Sequence, residues 1–100
     1  MMEDRRRYRR VTGPFDGSFD GSAGARDCRI TDLSAGGCFI DAFGVQQAGT
    51  EVTITVAVAG QQFTLPGRVV YVDRVQGFGV QFDETDATKQ LAAVLDAQPS

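Results

Sequence analysis

Two clusters of side chains along this chain are equipped for anion and nucleobase chemistry. The first is the run "RRRYRR" at 5–10, where Arg5, Arg6, Arg7, Arg9 and Arg10 supply five of the ten basic residues. A guanidinium is a planar fork of donors that matches phosphate bidentately, grips the O6/N7 edge of guanine and stacks on base planes. The second is "ITDLSAGGCFI" at 30–40, with Asp32, Ser34, Gly36 and Gly37 expected in a turn between two strands. Asp32 offers two acceptor oxygens, suited to paired N–H donors such as the N1/N2 edge of guanine, and Ser34 can donate or accept. Glycine tolerates positive φ and close approach of a ligand, and successive amides in such a turn can form an anion-binding nest. Each cluster also has a plain reading, as a solvated basic tail and as an Asx/ST turn.

Charge separates the possibilities. The formal net charge of the 100 residues is −3, but it is unevenly spread. Five arginines against Glu3 and Asp4 leave the first ten residues at +3, while five basic and eleven acidic side chains leave the other ninety at −6. Polymer binders usually spread a basic face over the domain, so a −6 body repels DNA or RNA. A compact anion needs only a local positive site. Other chemistry is thin: there is no His, and no nucleophile–base pair is visible. Asp83, Glu84 and Asp86 fall at an expected helix start, where negative charge complements the dipole. Cys28 and Cys38 read as two small buried thiols rather than a zinc site or disulfide framework. Catalysis is therefore not expected, and neither is a metal or other cofactor.

The elements that must position these clusters are mostly strands. "ARDCRIT" alternates, with Cys28 and Ile30 on one face; "CFIDA" follows after the glycine turn. In "TEVTITVAV", Val52, Ile54, Val56 and Val58 share a face, and Phe63, Leu65, Phe78, Val80 and Phe82 continue the period-2 pattern. Pro66-Gly67 predicts a bend or bulge, because Pro cannot donate to an interior ladder. "FDGSFDGSAGARD" predicts a short, ragged first strand anchored by Phe15 and Phe19. Near the end the period changes: Thr85 is an expected N-cap, and Leu91, Val94 and Leu95 mark one amphipathic helix. The sum is a small antiparallel barrel or sandwich with a terminal helix on it. No apolar run approaches the roughly 20 residues that span a bilayer, and no secretory signal is visible, so the expected compartment is the cytoplasm.

In order and spacing the two clusters resemble the PilZ domain, a bacterial receptor module for cyclic di-GMP. That family carries RxxxR at its N-terminal edge and [DN]xSxxG in the turn between two early strands. Asp32-Leu33-Ser34-Ala35-Gly36-Gly37 matches the second motif in full. The first has two frames, Arg5-to-Arg9 and Arg6-to-Arg10; the second is preferred here, because Arg10-Val11 runs directly into the first strand. "GRVVYV" and "GFGVQF" are similar to the family's later strands. The resemblance implies a mainly β fold, a six-stranded antiparallel barrel with a C-terminal helix. It divides the chain into a flexible arginine arm, 1–10, and the barrel with its helix, 11–97.

It also implies a role for each residue. Arg6 and Arg10 contact phosphate and guanine, Asp32 and Ser34 hold a guanine edge, and Gly36 and Gly37 keep the turn open. Arg5, preceding the motif, accompanies an intercalated pair of ligand molecules. The implied function is a cyclic di-GMP receptor whose arm orders on binding and signals to a partner protein. The alternative is a PilZ-like protein-interaction adaptor that does not bind the nucleotide. Neither involves a nucleic-acid polymer or membrane insertion.

Overall fold

The computed structural model of the chain describes residues 9–21, 24–42, 47–73 and 75–98. Alternating apolar residues build six strands: β1 (Val11–Gly21), β2 (Gly24–Ser34), β3 (Gly37–Asp41), β4 (Glu51–Val58), β5 (Gln61–Asp73) and β6 (Gly77–Phe82). One helix, α1 (Asp86–Asp96), follows them. Every pairing is antiparallel, and the order β1-β2-β3-β6-β5-β4 closes through β1 and β4. Closure satisfies the edges that an open sheet would expose. The fold is the mainly β, six-stranded antiparallel barrel with a C-terminal helix that the resemblance implies.

The inward row of β4 is Val52, Ile54, Val56 and Val58, facing Phe63, Leu65 and Val69 of β5 inside the barrel. Phe19 of β1 meets Phe78 of β6 edge to face, with ring centroids 5.2 Å apart. Thr85 caps α1: its Oγ1 accepts from the Thr88 N–H at 3.3 Å, and Thr88 Oγ1 accepts from the Thr85 N–H at 2.9 Å. Leu91 and Leu95 then close the core where α1 packs on β5 and β2. Among the described residues no helix is long and apolar enough to cross a membrane.

The Gly/Asp-rich segment departs from expectation. It forms a full strand, β1, of 11 residues, paired to β2 from Val11↔Leu33 to Gly21↔Gly24. Pro14, Asp16 and Asp20 face solvent while Phe15 and Phe19 turn toward the core. That alternation, held between β2 and β4, outweighs the poor strand propensity of Gly and Asp.

Pro66 also departs, since the ladder with β4 passes through it without a shift. Its carbonyl accepts from the Asp83 N–H at 2.8 Å, and β6 has already ended at Phe82 opposite Gly67. The missing N–H therefore faces the side where no strand is left to receive it.

Register shifts occur elsewhere, at three places: between Thr12 and Phe15 in β1, Ile30 and Asp32 in β2, and Val69 and Tyr71 in β5. In β1 the inward row stays on Val11, Phe15 and Phe19 across the shift, but the other two alter which side chains face outward. Strict alternation from Cys28 and Ile30 would turn Asp32 into the barrel. The β2 shift instead gives the inward place to Leu33 and leaves Asp32 partly exposed. In β5, Val69 is buried but both Val70 and Tyr71 are exposed, at 51% and 55%.

Candidate functional site

Asp32 begins a cross-strand row that runs over the outside of the barrel. It pairs with Phe39 of β3, Phe39 pairs with Gly79 of β6, and Gly79 pairs with Tyr71 of β5. With no side chain on Gly79, the rings of Phe39 and Tyr71 approach over it, centroids 6.2 Å apart and tilted by 48°. On its other side Asp32 pairs with Thr12 of β1, which carries the chain back to Arg10 at the strand's entrance. Arg10 Nη1 donates to Asp32 Oδ2 at 2.9 Å.

These residues frame an open depression of about 190 Å³, lined among others by Arg10, Asp32, Gly37, Phe39, Val70 and Gly79. Pockets that enclose a whole small molecule typically run to about 300–1,000 Å³. This one is sized to seat part of a ligand, with the rest lying across the barrel wall. The side chains of Arg10 and Asp32 are 49% and 30% exposed, so their pair is an ordinary surface ion pair. Asp32 Oδ1 differs: it is shielded from solvent and has no hydrogen-bond partner among the described residues. A buried, unsatisfied carboxylate oxygen is costly, and it marks the place where an incoming N–H donor would gain most.

The other expected site residues are placed unevenly. Arg5 and Arg6 lie outside the described residues. Asp32 and Ser34 belong to β2 itself, and the hairpin turn is only Ala35-Gly36. Ser34 is buried: its Oγ accepts from the Gly36 N–H at 3.1 Å and donates to the Gly37 carbonyl at 3.4 Å. Its hydroxyl closes the turn and does not line the depression. Gly36 accepts from the Phe82 N–H at 3.0 Å, tying the turn to the end of β6.

Gly37 lines the depression, but for a reason other than turn flexibility. Neither Gly36 nor Gly37 has positive φ; a Cβ on Gly37 would fall on the Val80 carbonyl of the adjacent strand. Arg9, outside the preferred RxxxR frame, is engaged: Nη1 donates to the carbonyls of Leu95, Asp96 and Gln98 at the end of α1. Residues that sequence reasoning missed are Phe39, Val70 and Gly79. Their strands were visible, but only the register reveals that they share a wall with Asp32.

The sequence model of the PilZ domain matches residues 4–97. The chain belongs to the PilZ domain family. Solved structures share the barrel fold. The PilZ domain of CeSA from a cellulose-synthesizing bacterium superposes with a TM-score of 0.69 at 18% identity, covering 88% of this chain and 98% of that one. The PilZ domain of YcgR from Escherichia coli, solved with c-di-GMP, gives 0.66 at 18% identity, covering 93% and 91%. The Bacillus subtilis inhibitor of motility, MotI/DgrA, gives 0.75 at 15% identity; it covers 96% of this chain, which spans only 54% of that protein. No curated protein matches the sequence.

Two further features bear on chemistry in this PilZ domain. Among the described residues no group of three or more His, Cys, Asp or Glu could hold a metal ion. Both cysteines are free thiols, Cys38 in the core and Cys28 only half-buried rather than buried as expected. Burial, with the charge of Asp27, pushes the Cys28 thiol from 9.0 to about 11. Burial also raises Cys38, helped by Cys28 and Asp32. Both stay protonated at neutral pH and are poor nucleophiles.

Proposed function

We propose that this PilZ domain is a cyclic di-GMP receptor in which Arg6, Arg10 and Asp32 are the principal polar contacts. The observation that carries the reading is the state of Asp32. One oxygen is paired with Arg10 at 2.9 Å beside the depression, and the other is buried without a partner among the described residues. A guanine nucleotide supplies what both groups lack. Its N1–H and N2–H donors fit the carboxylate, and its phosphates or O6/N7 edge fit the guanidinium. Binding is then an exchange of partners. Surface ion pairs contribute only about 0–1 kcal/mol, so releasing Arg10 from Asp32 is a small cost. Phe39 and Val70 offer apolar surface for a base beside the exchange.

The family assignment and the YcgR domain solved with c-di-GMP support this reading. PilZ domains are receptor and adaptor domains, and the role proposed here is binding rather than catalysis. In this reading the arginine arm, 1–10, orders over the barrel on ligand binding, Arg5 serves an intercalated ligand pair, and the composite surface signals to a partner protein. Ser34, in this reading, acts through the turn it closes, holding Asp32 in position.

Calorimetry with cyclic di-GMP tests the site. Wild type should bind, and Arg6→Ala or Arg10→Ala should each lose about 2–3 kcal/mol, roughly 30- to 150-fold in affinity. No heat with wild type would reject the receptor reading. Retained affinity in both variants would reject the residue assignment. Amide exchange of residues 5–10 should slow on binding; unchanged exchange counts against ordering of the arm. The second reading, a nucleotide-independent adaptor, draws on three exposed apolar side chains: Val70, which lines the depression, and Tyr71 and Val75. It gains if wild type gives no heat.

A further inference from the structure

Helix α1 ends on two tight backbone bonds, from the Ala97 N–H to the Val94 carbonyl and from the Gln98 N–H to the Leu95 carbonyl, without a left-handed cap residue. Its C-cap is Ala97 in ordinary right-handed geometry, no basic residue lies in the last turn, and the helix finishes on Asp96. An acidic side chain at that end adds to the negative pole of the helix dipole. The missing cation comes from the far end of the sequence. Arg9 Nη1 lies 3.1 Å from the Leu95 carbonyl, 3.2 Å from that of Asp96 and 2.7 Å from that of Gln98. The next residue, Arg10, reaches the opposite way, to Asp32. Consecutive Cα atoms are about 3.8 Å apart, so fixing Arg9 on the helix leaves Arg10 little range.

We propose that Arg9 is a positioning residue for the nucleotide site, anchoring the arm to the end of α1 so that Arg10 is held facing Asp32. The role rests on the nucleotide reading above and adds a regulatory link to it. Positioning and binding are reciprocal: if the helix anchor favours ligand, ligand must favour the anchor by the same factor. The end of α1 therefore reports occupancy of a site on the barrel wall, and offers a partner protein a surface that changes with ligand.

The test uses the full chain and cyclic di-GMP. Arg9→Ala should bind about tenfold more weakly than wild type, the scale set by ordering one or two residues. Arg9→Lys, which keeps the charge but not the fork, should fall between them. In wild type, ligand should slow amide exchange at Ala97 and Gln98, whose N–H groups bond to Val94 and Leu95; in Arg9→Ala that response should vanish. Wild-type affinity in Arg9→Ala, or exchange at Ala97 and Gln98 indifferent to ligand that does bind, overturns the proposal. If wild type does not bind at all, the nucleotide reading fails separately. Arginine side-chain NMR without nucleotide then decides the positioning role. Arg9→Ala should move the Arg10 guanidinium signal toward its free-peptide position, and an unmoved signal overturns it.

Discussion

Asp32 is the residue where stability and binding part company. Its pair with Arg10 is half-exposed, so removing the charge should barely touch the fold. Asp32→Asn is expected to change unfolding free energy by less than about 1 kcal/mol in urea titration, yet to weaken cyclic di-GMP at least tenfold. The amide replaces one acceptor with a donor, which faces the guanine N–H groups with like polarity. Equal affinity in Asp32→Asn and wild type would remove Asp32 from the site. Gly37 makes the opposite case. A Cβ there meets the Val80 carbonyl, so Gly37→Ala should destabilise by about 1–3 kcal/mol through strain between β3 and β6. A variant as stable as wild type would show that β3 can shift freely there. The candidacy of Asp32 was legible from its type and motif. The reason for Gly37 was not, because a close approach between strands distant in sequence leaves no local mark.

At the scale of elements, the inward rows of β4 and β6 and the start of that of β5 could be read from alternation alone, since Val52-Ile54-Val56-Val58, Phe63-Leu65 and Phe78-Val80-Phe82 each advance by two residues. The helix start was equally legible, in Thr85 followed by an apolar stripe. Thr85→Ala should therefore cost about 1 kcal/mol, seen as a lower urea midpoint with an unchanged slope, because it leaves the Thr88 N–H without its cap. What alternation could not show are the shifts after Ile30 and Val69, where one extra residue reverses the parity of everything that follows. Those two shifts place Asp32, Val70 and Tyr71 on the outer wall. A strand read with unbroken period 2 puts Asp32 in the core, where a carboxylate would be far more costly. The site was legible as chemistry and not as geometry, because bulges are fixed by pairing with neighbours. Pro66 misled for the same reason: its tolerance depends on where β6 stops, which is information held by another strand.

For the whole molecule, closing six strands around one core also buries thiol groups, and this couples stability to alkaline pH. Folding raises Cys28 from 9.0 to about 11, chiefly through burial and secondarily through Asp27, and raises Cys38 in the same direction, chiefly through burial. The native state thus holds thiol protons that the unfolded chain releases from about pH 9 upward. Wherever the native state binds more protons than the unfolded state, stability falls as pH rises. The contribution is complete below pH 9, declines between pH 9 and about 11 as unfolded thiols ionise, and is spent for Cys28 once pH passes its native value. Urea unfolding of wild type from pH 7 to 10.5 should therefore show a falling limb above pH 9. The Cys28→Ala/Cys38→Ala double variant should be less stable throughout, from the small void left at Cys38, but should lose stability less steeply over that limb. The difference in slope isolates the thiols, since every other ionisable side chain is common to both proteins. Parallel limbs would mean that the native barrel admits thiolates as readily as the unfolded chain, contrary to the burial of Cys38 between β2 and β6.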